Sequence, residues 1–227
     1  MRSLPVLRKR GFSLIELLAV VALIAFLAGG IGLALGGGGG SGLAGAQKTL
    51  ATMIGAARAQ AAVSQSETIL AVYATRPPSG DKDNYLRLMQ VFRNETTGEA
   101  TATWVPVGNP VWLPRGVYVV PTATNGLLAQ GVVWPSNPPL LSSLTGPIGL
   151  GQRPGTPFGN PATALVMSFQ PDGTVTQMGT QAHLRVVVAS AALSTASLPQ
   201  FTSNATVRGL LVRPTGAVTF VNDSNGF

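Results

Sequence analysis

Lys9-Arg10-Gly11-Phe12-Ser13-Leu14-Ile15-Glu16-Leu17-Leu18 opens a long apolar run in this 227-residue chain. From residue 12 to 35 only Glu16 can ionise; the rest are Leu, Ile, Val, Ala, Phe, Gly and one Ser. As a helix, that run spans about 36 Å, enough to cross a hydrocarbon layer of ~30 Å. The prediction is a single-pass membrane helix over 12–35. A carboxylate inside it costs a few kcal/mol in lipid, roughly, which marks Glu16 as functional. Arg2, Arg8, Lys9 and Arg10 precede the run, and the next basic residue is Lys48. The positive-inside rule then keeps residues 1–11 cytoplasmic and exports the bulk of the chain.

Two ordinary readings compete. A secretory signal would be cut after Ala44-Gly45-Ala46, leaving Gln47 first, but its apolar region is usually about 7–15 residues and holds no acid. A plain membrane anchor would carry Glu16 near the headgroups as a tolerated charge.

The basic cluster followed by Gly-Phe and Ser-Leu-Ile-Glu closely resembles the processing site of type IV prepilins and type II secretion pseudopilins. In that family a membrane-embedded aspartyl peptidase cuts after the glycine and methylates the new amino terminus. The resemblance implies cleavage between Gly11 and Phe12, N-methylation of Phe12, and an assembly role for Glu16. Prepilin peptidase/methyltransferase and other pilins or pseudopilins would be the partners. The location would be the bacterial inner membrane, with the head outside the cytoplasm. Physically, the cut removes the leader's charges and creates an amine that attracts Glu16 strongly where the effective dielectric is low. The pair could form within one chain or between neighbours; the family uses it between neighbours.

Net charge is +7, but four of the fifteen basic residues lie in the leader. The remaining eleven against eight acids give +3, weak support for a polyanion partner. No cysteine is present, so neither a disulfide framework nor a thiolate site is available. Many pilins carry a C-terminal disulfide loop, so its lack disfavours a major pilin of that kind.

Residues 36–42 include five consecutive glycines, each costing a helix about 1 kcal/mol relative to alanine. The expectation is a flexible joint. A dinucleotide fingerprint is formally present from Gly37 to Gly42, but no strand precedes it. Over 43–66 the pattern turns helical, with Leu43, Ala46, Leu50, Met53 or Ile54, Ala57 and Ala61 on one stripe. That stripe is expected to pack on a sheet, with a short coiled coil as the alternative. The β-rich head is expected from 67 to 227, with strands near 68–74, 85–92, 101–107, 164–169, 184–189, 207–212 and 217–221. Residues 106–161 hold eleven of the seventeen prolines and nine glycines; they read as a loose, mostly looped insertion with short extended pieces such as 117–120.

A second resemblance rests on three segments in order: Ala56-Ala57-Arg58-Ala59-Gln60-Ala61-Ala62, Phe169-Gln170-Pro171-Asp172-Gly173, and Leu211-Val212-Arg213-Pro214-Thr215-Gly216-Ala217-Val218. They look like the helix end and late strand–turn–strand units of the pseudopilin H and minor pilin T/U group. DNA-binding members carry arginines after the final turn. Here Gly216-Ala217-Val218-Thr219 has none, so nucleic acid is not the expected partner.

Elsewhere little chemistry is visible. His183 is the sole histidine and reads as an ordinary strand residue rather than a zinc ligand. Asp81 and Asp83 flank Lys82 in a turn without an EF-hand ligand series. No enzyme centre, metal or cofactor is expected. The expected fold is α+β and pilin-like: a long N-terminal helix with a Gly-rich break, packed on an antiparallel, sandwich-like head. The function this implies is a structural minor pseudopilin or minor pilin of a secretion or pilus-like filament. The alternative is a ligand- or DNA-binding minor pilin.

Overall fold

Apolar residues three and four apart build helix α1 (Gly38–Ser64). In a computed structural model the chain is described over residues 38–96, 103–124, 126–134, 140–149, 158, 163–176, 182–203 and 206–227. The leader 1–11, the expected membrane helix 12–35 and residues 36–37 of the expected joint lie outside them. The boundary between the chain's two units falls within the glycine run, at Gly38 and Gly39, while the backbone is already helical from Gly38. Glycine adds little to a helix, but extending an existing helix costs far less than nucleating one. Gln65, with φ +50, sits in the left-handed region that commonly ends a helix. Among the described residues, no helix is long and apolar enough to cross a membrane.

The stripe on α1 lies where its spacing puts it. Leu43, Ala46, Leu50, Met53, Ile54, Ala57 and Ala61 are all buried in one core shared with the sheets. Gln47 interrupts the stripe and is buried with it. Its Nε2 donates to the carbonyls of Gly209 and Val221, each at 2.7 Å. The amide is thereby satisfied, as burial requires, and the helix is tied to the last two strands.

Among the described residues ten strands follow α1: β1 (Thr68–Tyr73), β2 (Leu88–Asn94), β3 (Trp104–Trp112), β4 (Val117–Val119), β5 (Thr145–Gly149), β6 (Thr163–Phe169), β7 (Leu184–Leu193), β8 (Pro199–Phe201), β9 (Val207–Val212) and β10 (Val218–Val221). One sheet runs β3-β2-β1-β6-β5; the other runs β10-β9-β7-β4, with β8 added to β7. The pairings between these strands are antiparallel; an isolated bridge from Leu128 to Phe201 is parallel. In the described residues the fold is thus helix α1 packed on antiparallel sheets.

All six residues of β1 are buried, so both faces of the first sheet are covered. By register, Leu70, Val72, Val91 and Met167 share one face; Ile69, Tyr73, Phe92 and Val166 share the other. Phe158 closes the second face. Its ring stands edge-on to Tyr73 at 5.6 Å and to Phe92 at 5.3 Å, a favoured aromatic geometry.

Phe158 belongs to the segment expected to be loose, and that expectation needs correction. Within 106–161 lie most of β3, all of β4 and β5, and buried Leu113, Tyr118, Val120, Leu127, Leu140 and Leu144. Pro106 and Pro110 fit because β3 is an edge strand, where a missing N–H interrupts no ladder. Opposite Gln90, residues 108–110 bulge out, pairing resuming from Met89↔Val111 to Val91↔Val107. Gln90 Nε2 donates to the Gly108 carbonyl at 3.2 Å. Pro147 likewise lies in β5, at the opposite edge.

The expected strand 85–92 begins instead at Leu88. Leu86 takes φ +56. Its N–H donates to the Tyr73 carbonyl, and its own carbonyl accepts from Val119, each at 2.8 Å. This backbone turn links β1 to β4, and it explains why strict alternation fails there.

Candidate functional site

Gly11, Phe12 and Glu16, the residues assigned to cleavage, methylation and assembly, lie outside the described residues. The three later segments singled out by sequence do come together. The end of α1 carries Arg58, and two turns meet it. The first, Pro171-Asp172-Gly173, follows β6; the second, Pro214-Thr215-Gly216, joins β9 to β10 as the expected hairpin. Val175 N–H donates to the Pro214 carbonyl at 2.8 Å, so the turns are bonded to each other.

Glycine is required at both turn tips. Gly173 and Gly216 have φ +81 and +75, conformations that other residues adopt at a cost. A Cβ on Gly173 would lie 3.0 Å from Arg58 Nε; one on Gly216 would lie 2.8 Å from Arg58 Cδ and 2.8 Å from the Gly173 carbonyl oxygen. The absence of side chains lets the Arg58 stem lie across both turns. Gly55, Ala59, Ala62 and Ala217 complete an open groove of 480 Å³ floored by small residues.

Asp172 borders that groove and is fully exposed. Thr174 Oγ1 donates to its Oδ1 at 2.7 Å and the Thr174 N–H at 2.9 Å. These bonds, the hydroxyl first, hold the carboxyl below the usual range. The groove therefore offers one guanidinium, one firmly ionised carboxylate and apolar small residues. It has no nucleophile paired with a base, and its chemistry is that of packing or docking.

The other sequence candidates have structural duties. Asp81 accepts from the Asp83 N–H at 2.8 Å and from Asn84 Nδ2 at 3.2 Å, closing an Asx turn. His183 is partly buried just before β7. No group of three or more His, Asp or Glu that could hold a metal occurs among the described residues. Reading the sequence missed Gln47 and Arg87. Arg87 is 8 % exposed, although strand alternation placed it among ordinary strand positions. Its position between Tyr85-Leu86 and Leu88-Met89, an apolar neighbourhood, was the available signal.

The model of the family described as a prokaryotic N-terminal methylation motif matches residues 7–32. A comparison with curated proteins finds no match. Among solved structures, the minor pseudopilin EpsH from the type 2 secretion system of Vibrio cholerae is similar at 12 % identity and a TM-score of 0.38. The similarity covers 77 % of this chain and 92 % of that one. The stretch that matches the methylation motif spans Gly11, Phe12 and Glu16.

Proposed function

We propose that this chain is a minor pseudopilin or minor pilin, a non-enzymatic subunit of a type II secretion or type IV pilus-like filament. The match of the methylation motif across residues 7–32 carries this reading. Prepilin peptidase cuts between Gly11 and Phe12 and methylates Phe12. The mature chain stays anchored in the inner membrane through 12–35, head outward, until it joins other pilins. Glu16, ionised in an apolar run, attracts the new amine of a neighbouring subunit and sets its axial position.

The head supports this over a conventional secretory signal. A cut before Gln47 would remove Leu43 and Ala46, which are 3 % and 0 % exposed in the core. Cleavage after Gly11 leaves that packing whole.

The test is mass spectrometry of the chain recovered from membranes with and without prepilin peptidase. The expected product lacks residues 1–11 and carries one extra methyl group; Gly11→Val stays full length. Glu16→Ala is cleaved but no longer crosslinks to other pilins. Efficient cleavage of Gly11→Val, or a mature terminus at Gln47, rejects the reading.

A further inference from the structure

Arg87 is the one charged side chain among the buried described residues. Nη1 donates to the Asp83 carbonyl at 3.3 Å and Nη2 to the Leu113 carbonyl at 2.9 Å. The guanidinium carbon stands 5.9 Å from the centroid of the Tyr118 ring, within cation–π range. Its Nε–H is buried without an acceptor. The ion pair found among the described residues is Arg93–Glu95, so none of their carboxylates stands within ion-pairing distance of Arg87. A buried charge without a counter-ion is strongly unfavourable.

The fold surrounds Arg87 with more positive charge. Arg87 lines an open cleft of 420 Å³ together with Lys82, Asp83, Arg115, Tyr118 and Leu193. The Asx turn at Asp81 holds Lys82 and Asp83 at the rim. Across the cleft, Gly116 takes φ +78, and its carbonyl accepts from the Ala191 N–H at 2.9 Å, fixing the turn that bears Arg115. Three cations face one acid. Burial, the larger influence, raises the Tyr118 pKa, so its hydroxyl remains a neutral donor. Leu193, 49 % exposed, supplies an apolar wall.

We propose that this cleft receives the carboxylate of an acidic side chain from a protein partner. The charge calls for an oxyanion, and the wall decides its source. A Glu or Asp beside an apolar residue satisfies Lys82 and Arg115 while covering Leu193. A nucleic-acid backbone would meet Asp83 on the rim and would leave Leu193 uncovered. The assignment stands on the cleft alone and holds whether or not Gly11–Phe12 is cut.

The test uses the full-length chain with isotope-labelled arginine in a zwitterionic detergent. The Nε–H resonance of Arg87, identified by its loss in Arg87→Lys, is followed during titration. The probes are blocked Leu-Glu-Leu peptide, its Leu-Gln-Leu counterpart, inorganic phosphate and an oligothymidylate. The Glu peptide is expected to give a saturable shift, with the Gln peptide about tenfold weaker, since a charge-assisted contact is lost. Lys82→Ala/Arg115→Ala should weaken the Glu peptide about tenfold with the rest of the spectrum unchanged. Equal responses to Glu and Gln, or no saturable shift with any probe, overturn the proposal. Phosphate acting alone, or the oligonucleotide binding more tightly than the Glu peptide, overturns its assignment to an acidic protein.

Discussion

Helix α1 and residues 106–161 both cover apolar surface, by opposite means. The helix does so with one stripe, its buried positions returning every three or four residues with Gln47 and Ile54 beside them. Apart from the buried run at β4, the described residues of the proline-rich segment contribute side chains at irregular intervals, Leu113, Leu127, Leu140 and Phe158 among them. A periodic element declares its buried face in the sequence; an aperiodic one does not. Pro106, Pro110 and Pro147 mark where backbone hydrogen bonds are dispensable, on the edge strands β3 and β5. They say nothing about whether neighbouring side chains are inside.

The largest expected effect tests that equivalence. Phe158→Ala removes a fully buried ring from between Tyr73 and Phe92 and should cost about 3–5 kcal/mol; Leu50→Ala on α1 should cost about 2–5 kcal/mol. Denaturant unfolding of the two variants measures both. Comparable losses make the segment as integral to the core as the helix. A loss below about 1 kcal/mol for Phe158→Ala, beside a full one for Leu50→Ala, would make the segment a removable insertion after all.

The same contrast explains what the sequence disclosed. The α1 stripe was legible residue by residue because one face is buried and the period is 3.6. The β9–β10 hairpin was legible because Arg213-Pro214-Thr215-Gly216 has turn chemistry. The start of β2 was not, since its sheet is covered on both faces and Arg87 and Gln90 are buried beside Leu88 and Met89. Alternation carries no information where neither face meets water. The meeting of Arg58 with Gly173 and Gly216 was hidden too: the motifs were visible singly, but their junction depends on the ladder. Gln47 was hidden because its partners, the carbonyls of Gly209 and Val221, belong to backbone far along the chain.

A smaller effect is expected at that junction. Gly216→Ala places a methyl group against both Arg58 and the Gly173 carbonyl at φ +75, and should cost about 1–3 kcal/mol. Arg58 has a flexible, exposed stem and can move aside; the carbonyl cannot. Arg58→Ala alone should therefore cost under about 1 kcal/mol and should not restore the stability of Gly216→Ala. Complete rescue in the double variant, measured by thermal unfolding, would show that the arginine rather than the backbone demands glycine there.

The smallest effect concerns Asp172, where the same junction meets solvent. Two donors from Thr174 stabilise the ionised form, so the folded pKa lies below the unfolded one. The resulting stabilisation is present above the unfolded pKa and is lost as pH falls through the folded value. Because the carboxyl is fully exposed, its influence should show in its own titration more clearly than in global unfolding. Thr174→Val removes the hydroxyl but leaves the N–H, so the carboxyl pKa, followed by NMR, should rise only part of the way toward that of a free aspartate. High salt should leave the shift largely in place, since short hydrogen bonds are screened much less than separated charges. A pKa that returns fully to the ordinary value in salt, with Thr174 intact, would assign the shift to the field of nearby cations such as Arg58. The groove at the end of α1 would then be an electrostatic feature, unlike the turn-built one described by the Thr174 bonds.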